Sequence, residues 1–221
     1  MLCVMEATKH WGASCIWADV TFEIGSGELA TLTGASGSGK STLLRVAAGL
    51  ESLDAGAVTW RGEELCPQRR IADVIYVGQD HGLFSHRNVL DQIVVPLRCV
   101  KGDPKRQAVE AGYYWLEVMG LQDHATKDTR QLSGGQRQRL AIARAAALQP
   151  QLFCLDEPTS AQDEHRAADI LDVLQDLAKA GCAVLVSTHD VRMVSLKASK
   201  QLHLEGGVLI EHQTAAALTT P

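Results

Sequence analysis

The stretch GASGSGKST, Gly34 to Thr42, sets three glycines and three serines around one lysine, directly after the apolar-rich run ELATLT. Glycine loses more chain entropy on folding than any other residue, so such a backbone is built for something to come close to it. The pattern GxxxxGK[ST], placed between a predicted strand and a predicted helix, has the mechanics of a phosphate cradle. Successive N–H groups curl around the phosphates, and the new helix contributes the partial positive charge of its N-terminus. Gly34, Ala35, Ser36, Gly37, Ser38, Gly39 and Thr42 would form the cradle. Lys40 would neutralise the β- and γ-phosphates, and the Ser41 hydroxyl would ligate Mg²⁺. A flexible Gly/Ser turn is the bland alternative, and the strand–helix context argues against it.

A nucleotide site that hydrolyses needs a metal-side carboxylate and a base, and LFCLDEP, Leu152 to Pro158, offers both at the end of a buried-looking strand. Asp156 can hold Mg²⁺ through water. Glu157 beside it can orient or deprotonate the attacking water. Alone, an Asp-Glu pair before a proline is usually a solvated strand end; after a phosphate cradle the odds reverse. A third stretch, LSGGQRQRLAIARA (Leu132 to Ala145), is a Ser-Gly-Gly turn opening an Arg-rich helix, a second anion-binding helix start in one chain. Its bland reading is a helix capped by Ser133, which does not account for both glycines.

These residues need a scaffold. Residues 14–33 alternate loosely around Gly25-Ser26-Gly27 and read as two short strands joined by a turn. STLLRVAAGL reads as a helix closed by Gly49, GAVTWRGEEL as a hairpin, and IADVIYV as a strand ending at Gln79. From His81 to Ala147 the patterning is mostly helical, with breaks expected at Pro96 and at Gly102-Asp103-Pro104. LFCLD and AVLVST read as buried strands. The helix between them carries Ile170, Leu171, Leu174, Leu177 and Ala178 on one stripe, with Gly181 at its C-terminal end. Strand and helix in alternation argue for a mostly parallel sheet covered on both faces. The expected fold is α/β, with the middle third of the chain as a helical insertion.

The chain has 221 residues, 46% hydrophobic and 21% charged, with a net charge of −5. That suits one globular unit and implies no broad attraction to nucleic acid or anionic lipid. Its six cysteines lack metal-ligand spacing and read as reduced thiols. No run approaches the roughly 18 apolar residues of a membrane span, so any work at a membrane needs another chain to supply the span. The N-terminus MLCVMEATKHWG is too short and too soon interrupted by charge for a signal peptide, and the last ten residues look frayed.

LSGGQ at this spacing after the P-loop resembles the signature of the ATP-binding cassette family, and the resemblance runs over roughly residues 4–212. It implies a P-loop NTPase core (1–79 and 148–221; mostly parallel sheet flanked by helices) with an N-terminal antiparallel β subdomain and a helical subdomain inserted at 80–147, and it implies roles for further positions. Trp11, about two dozen residues before the P-loop, matches the family's adenine-stacking aromatic. Gln79 matches the Q-loop glutamine, a Mg²⁺ and water contact. Ser160-Ala161-Gln162-Asp163 matches the D-loop, and His189 the switch histidine that touches the γ-phosphate. Taken singly, a Trp or a His is usually structural. The resemblance also implies a second cassette subunit, expected to be another copy, meeting this one head to tail. Each ATP would lie between one chain's P-loop and the other's Ser133, Gly134, Gly135 and Gln136, with Asp163 nearby. Three departures stand out: SAQD where family members usually show SALD, placing Gln162 at a dimer seam where it could loosen the packing; Ala146 where Leu is common; and Trp for the commoner Tyr at position 11, which should stack at least as well.

Three function classes compete. The first is the ATPase subunit of a transporter with separate permease chains, peripheral on the cytoplasmic face of the cell membrane. The second is a soluble cassette protein of translation or DNA repair. The third is an ATP-dependent regulator of a cell-envelope partner. A single cassette without heptads or a basic surface signal suits the first and implies no nucleic-acid partner. HGLFSHRNVLDQIVVPLRCVKG (His81 to Gly102) resembles the LFPHMTVLENV segment of polar amino-acid importers, although Ser85, Arg87 and Asn88 replace the usual Pro, Met and Thr. FCLDEPTSAQD resembles the importers' EPTSALD rather than the EPTGNLD of lipoprotein-release and macrolide-export cassettes. Import of amino acids or similar small polar solutes, with an extracytoplasmic binding protein as a further partner, is therefore favoured. Lipid, lipoprotein or drug export is the runner-up.

Overall fold

A computed structural model describes residues 1–69, 71–189 and 198–213. Two sheets organise them. The first is antiparallel, in the order β2-β1-β4-β5, from β1 (Leu2–Trp11), β2 (Ser14–Ile24), β4 (Ala55–Trp60) and β5 (Glu63–Glu64). The second has six strands in the order β10-β9-β3-β8-β7-β6. It comprises β3 (Leu29–Gly34), β6 (Val74–Val77), β7 (Leu152–Asp156), β8 (Ala183–Ser187), β9 (Lys200–Glu205) and β10 (Val208–Gln213). Every pairing in this second sheet is parallel except that of β9 with β10.

The expected strands LFCLD and AVLVS are its buried centre; all ten residues are inaccessible or nearly so. Successive side chains of a strand point to opposite faces, and this divides the core in two. Leu152, Cys154, Ala183 and Leu185 join Ala30 and Leu32 against α1 (Lys40–Ala47) and the antiparallel sheet. Phe153, Leu155, Val184 and Val186 face the other way. There α5 (Glu164–Lys179) buries Ile170, Leu171, Leu174 and Ala178, the stripe read from the sequence, while Leu177 is only half-buried. Gly181 follows α5 with φ +99. Cys154 and Cys182 are buried free thiols, both raised by burial, Cys182 to about 12.

The two strands expected around Gly25–Gly27 form as β2 and β3, joined by a turn but placed in different sheets; β2 pairs with β1. β1 itself escaped the sequence reading because its alternation is broken: its register shifts between Val4 and Ala7, where Glu6 has φ +47, as at a bulge that inserts a residue on one strand. Pro96 does not break its helix. α2 (Asp91–Pro96) runs into a wider π turn over Leu97–Lys101, and the helical path stops at Gly102, φ +75. The remaining helices are α3 (Lys105–Val118) and α4 (Gly134–Ala147), with short 3₁₀ turns at Gln122–His124 and Thr129–Gln131 between them. The expected frayed end lies mostly outside the described residues. No described helix is long and apolar enough to cross a membrane.

Candidate functional site

β3 ends at Gly34 and α1 begins at Lys40. Between them the backbone turns through Gly37 (φ +79) and Gly39 (φ +96), a left-handed region costly for residues with a Cβ. Position 39 also has no room, since a Cβ there would meet Ile16 Cγ2 at 2.5 Å and Trp17 Cδ1 at 2.9 Å. The loop is thus glycine-bound by conformation and by packing onto β2. Lys40 is 6% exposed. Its Nζ donates to the carbonyls of Gly34 and Ala35, each at 2.9 Å. Burial pushes the ammonium pKa down, while the carboxylates of Glu157 and Asp156 pull it back up. An ammonium has three N–H donors, so one is left for an anion above the loop.

The acidic side is built at the end of β7. Asp156, 5% exposed, accepts the Ser187 hydroxyl proton at 2.5 Å. Glu157 follows with φ +49, a conformation that costs a residue with a Cβ roughly 1–3 kcal/mol and persists only where neighbours hold it. They do. The Glu157 N–H donates to the Ser187 carbonyl (3.1 Å) and hydroxyl (3.0 Å). Its carbonyl accepts from Gln138 Nε2 (2.8 Å), Ser160 Oγ (3.0 Å) and the Ser160 N–H (3.2 Å). Its Oε1 then lies 3.2 Å from His189 Nε2.

One cleft of about 310 Å³ is lined by nine of the expected residues, Trp11, Ser36, Gly37, Gly39, Lys40, Ser41, Thr42, Gln79 and Glu157, with Ile16 added; Gly34, Ala35, Ser38, Asp156 and His189 are not part of its lining. Trp11 is 71% exposed, a free aromatic face at its edge. Ser41 and Gln79 present oxygens in the cleft, and Asp156, 5% exposed behind Glu157, holds a carboxylate beside it; oxygen ligands suit Mg²⁺, a hard cation that keeps several waters. Among the described residues no group of three or more His, Cys, Asp or Glu could hold a metal, so a cation here would take further oxygens from water and phosphate.

Ser133, Gly134, Gly135, Gln136 and Asp163 do not line the cleft. Ser133 caps α4: the Gln136 N–H donates to its Oγ at 3.2 Å, and its own N–H donates to Gln136 Oε1 at 2.8 Å. Gln136 Nε2 in turn sits 2.7 Å from His124 Nε2. The bland reading of this motif as a capped helix is therefore correct as far as it goes, and half of the glycine argument changes with it. A Cβ on Gly135 would meet the Ala161 carbonyl at 2.6 Å, so that glycine is explained by packing within the chain, whereas Gly134 faces open space. Ser133 Oγ accepts in the cap and keeps its proton to donate outward. Asp163 caps α5, accepting from the Arg166 N–H at 2.9 Å. Gln162, expected at a dimer seam, turns into its own chain, where Arg139 Nη1 donates to its Oε1 at 2.8 Å.

Two residues of the site went unread in the sequence. Ser187 is the polar last residue of a strand buried along its whole length, and Gln138 is 4% exposed on the Arg-rich helix. A polar group so placed must find a partner, and both find the Asp156–Glu157 segment.

Comparison with known proteins agrees with this geometry. A family model described as "ABC transporter" matches residues 17–160. The glutamine transport ATP-binding protein GlnQ of Bacillus subtilis is 36% identical, over 98% of this chain and 91% of that protein. The L-cystine transport system ATP-binding protein TcyN of Escherichia coli is 33% identical, over 97% and 88%. Among solved structures, a dimeric ATP-binding cassette in a post-hydrolysis state bound to ADP and Pi superposes with a TM-score of 0.86 at 26% identity, covering 96% of this chain and 98% of that one.

Proposed function

The chain belongs to the ATP-binding cassette transporter family, and on that premise we propose that it is the ATP-hydrolysing subunit of an importer of amino acids or similar small polar solutes. The observation that carries this reading is the single cleft joining Lys40, Ser41, Gln79 and Glu157. Two copies act together, peripheral on the cytoplasmic face of the membrane and attached to permease chains. An extracytoplasmic binding protein delivers the solute.

The loop from Gly34 to Thr42 holds the phosphates through backbone N–H groups and the start of α1, with Lys40 turning its third N–H outward. Trp11 offers its ring to adenine. Ser41, Gln79 and Asp156 would hold Mg²⁺, which when bound offsets charge on the β- and γ-phosphate oxygens. Glu157 takes the proton of the attacking water, and His189, 3.2 Å away, steadies that carboxylate and reaches the γ-phosphate. The outer face of the nucleotide is left for the partner's Ser133 hydroxyl and open Gly134 turn. Loss of the γ-phosphate then removes the charge that holds the pair shut.

Transmission to the permease runs from Gln79 into the segment after it. Arg144 donates to the carbonyls of His81 (3.0 Å) and Gly82 (2.7 Å), and buried Gln92 clasps Phe84 through its N–H and carbonyl, both at 2.8 Å. A shift at Gln79 therefore carries this segment as a body. The amino-acid class rests on those relatives named as glutamine, glutamate and cystine transport proteins, which stand beside a sulfate/thiosulfate import protein at 41% identity, together with the EPTSAQD and LFSHRNVL stretches.

Two measurements test the reading. Ser36→Cys and Gly134→Cys chains are mixed, each with exposed Cys15 and Cys99 changed to serine, and treated with a short thiol crosslinker. A Cβ at Gly134 meets nothing within 4 Å, so that variant folds. The mixed dimer should appear with Mg-ATP and not without nucleotide; its absence under Mg-ATP overturns the paired arrangement. For the cargo, host cells lacking this chain should lose ATP-dependent accumulation of labelled polar amino acids. Normal accumulation with a lost efflux would assign the chain to export instead.

A further inference from the structure

The D-loop residue Gln162 is hydrogen-bonded to three residues of α4. Its Oε1 accepts from Arg139 Nη1 at 2.8 Å. Its Nε2 donates to the Gly135 carbonyl at 3.0 Å and to Gln138 Oε1 at 3.1 Å. Gln138, 4% exposed, passes the connection on, since its own Nε2 donates to the Glu157 carbonyl at 2.8 Å. The direction of this chain is set by chemistry: a guanidinium only donates and a carbonyl only accepts, so Gln162 must face Arg139 with oxygen and Gly135 with nitrogen. Gln138 must then accept from Gln162 and donate to Glu157.

We propose that Gln162 is a positioning residue for ATP hydrolysis, clamping the Ser-Gly-Gly turn of its own chain, through Gln138, to the backbone of the catalytic glutamate. This rests on the function proposed above. The need for a clamp is local. Glu157 stands at φ +49, and one of the bonds to its carbonyl that hold it there comes from Gln138. Gly135 lies so close to the D-loop that a Cβ would strike the Ala161 carbonyl at 2.6 Å, so the turn and the D-loop are in direct contact. The turn that would cover a partner's nucleotide and the base that works on the chain's own nucleotide thus share one network of amides. Leucine at position 162 could make none of these bonds.

Two variants separate positioning from folding. In Gln162→Glu the carboxylate still accepts from Arg139, which is 8% exposed and needs an acceptor, but it cannot donate to Gly135 or Gln138. In Gln162→Leu all three bonds are lost and Arg139 is left short. Gln162→Glu sets an oxygen against the Gly135 carbonyl but strengthens the bond to Arg139, so it should stay folded with a smaller loss of Tm than Gln162→Leu and lose about tenfold in kcat, an amount one modest hydrogen-bond network supplies, with KM for ATP within about twofold because the P-loop is untouched. Gln162→Leu should lose kcat and Tm together. Hydrogen exchange at residues 133–138 and 157–162 should quicken in Gln162→Glu without nucleotide. Wild-type kcat in Gln162→Glu, or unchanged exchange there, overturns the clamp. A wild-type chain without ATPase activity would count against the proposed function instead, and the exchange result would still decide the clamp.

Discussion

Glu157→Gln should bind ATP as tightly as the unaltered chain, lose turnover by about 10²–10⁴-fold, the usual worth of a general base, and accumulate as a dimer under Mg-ATP. The substitution changes one oxygen to an amide nitrogen and leaves the backbone bonds to Ser187, Gln138 and Ser160 in place. The left-handed turn therefore persists, and His189 at 3.2 Å still finds a polar partner. What disappears is the capacity to take a proton. Binding and closure precede that step, so they survive, while reopening follows it and stops. Size-exclusion chromatography with Mg-ATP reads the trapped dimer, and phosphate release reads the rate. Substantial remaining ATPase activity would show that Glu157 is not the base and would move the role to another group facing the cleft.

The parts of this site legible in the sequence are those whose chemistry is contiguous. Gly34–Thr42 is legible from neighbouring residues, because backbone amides and helix starts are local structures, and the same holds for the capped helix start at Ser133, which lies outside the cleft. LFCLD and AVLVS were legible for another reason: strands covered on both faces lose polar alternation, so their runs are unbroken. What stayed hidden depends on contacts far apart in the chain. Ser187 meets Asp156 across 31 residues and Gln138 meets Glu157 across 19, and no local pattern marks either. β1 was hidden by the bulge at Glu6, which breaks the period on which strand reading depends. Gln162 was legible as a departure from SALD, but its bonds within its own chain were not. Its orientation follows from Arg139, a buried cation on a helix whose inward face a short window does not reveal.

Lys40→Ala should weaken ATP binding by roughly 10²-fold or more, since hydrogen bonds to a charged group are worth about 1.5–3 kcal/mol each and the lysine contributes full charge as well. The protein's fold should tolerate the change. Lys40 is buried against the Gly34 and Ala35 carbonyls, and taking an ammonium out of water has a cost that alanine avoids. Isothermal titration with a non-hydrolysed ATP analogue reads the loss, and thermal unfolding without nucleotide should stay near wild type. The two variants differ in the step they block, and combining them tests the order. If nucleotide on the P-loop is what draws two copies together, Lys40→Ala must abolish the Mg-ATP dimer that Glu157→Gln accumulates, at ATP concentrations that saturate Glu157→Gln alone. A double variant that still dimerises with Mg-ATP would mean that closure is driven from outside the Lys40 loop, and the phosphate cradle would lose its place as the switch.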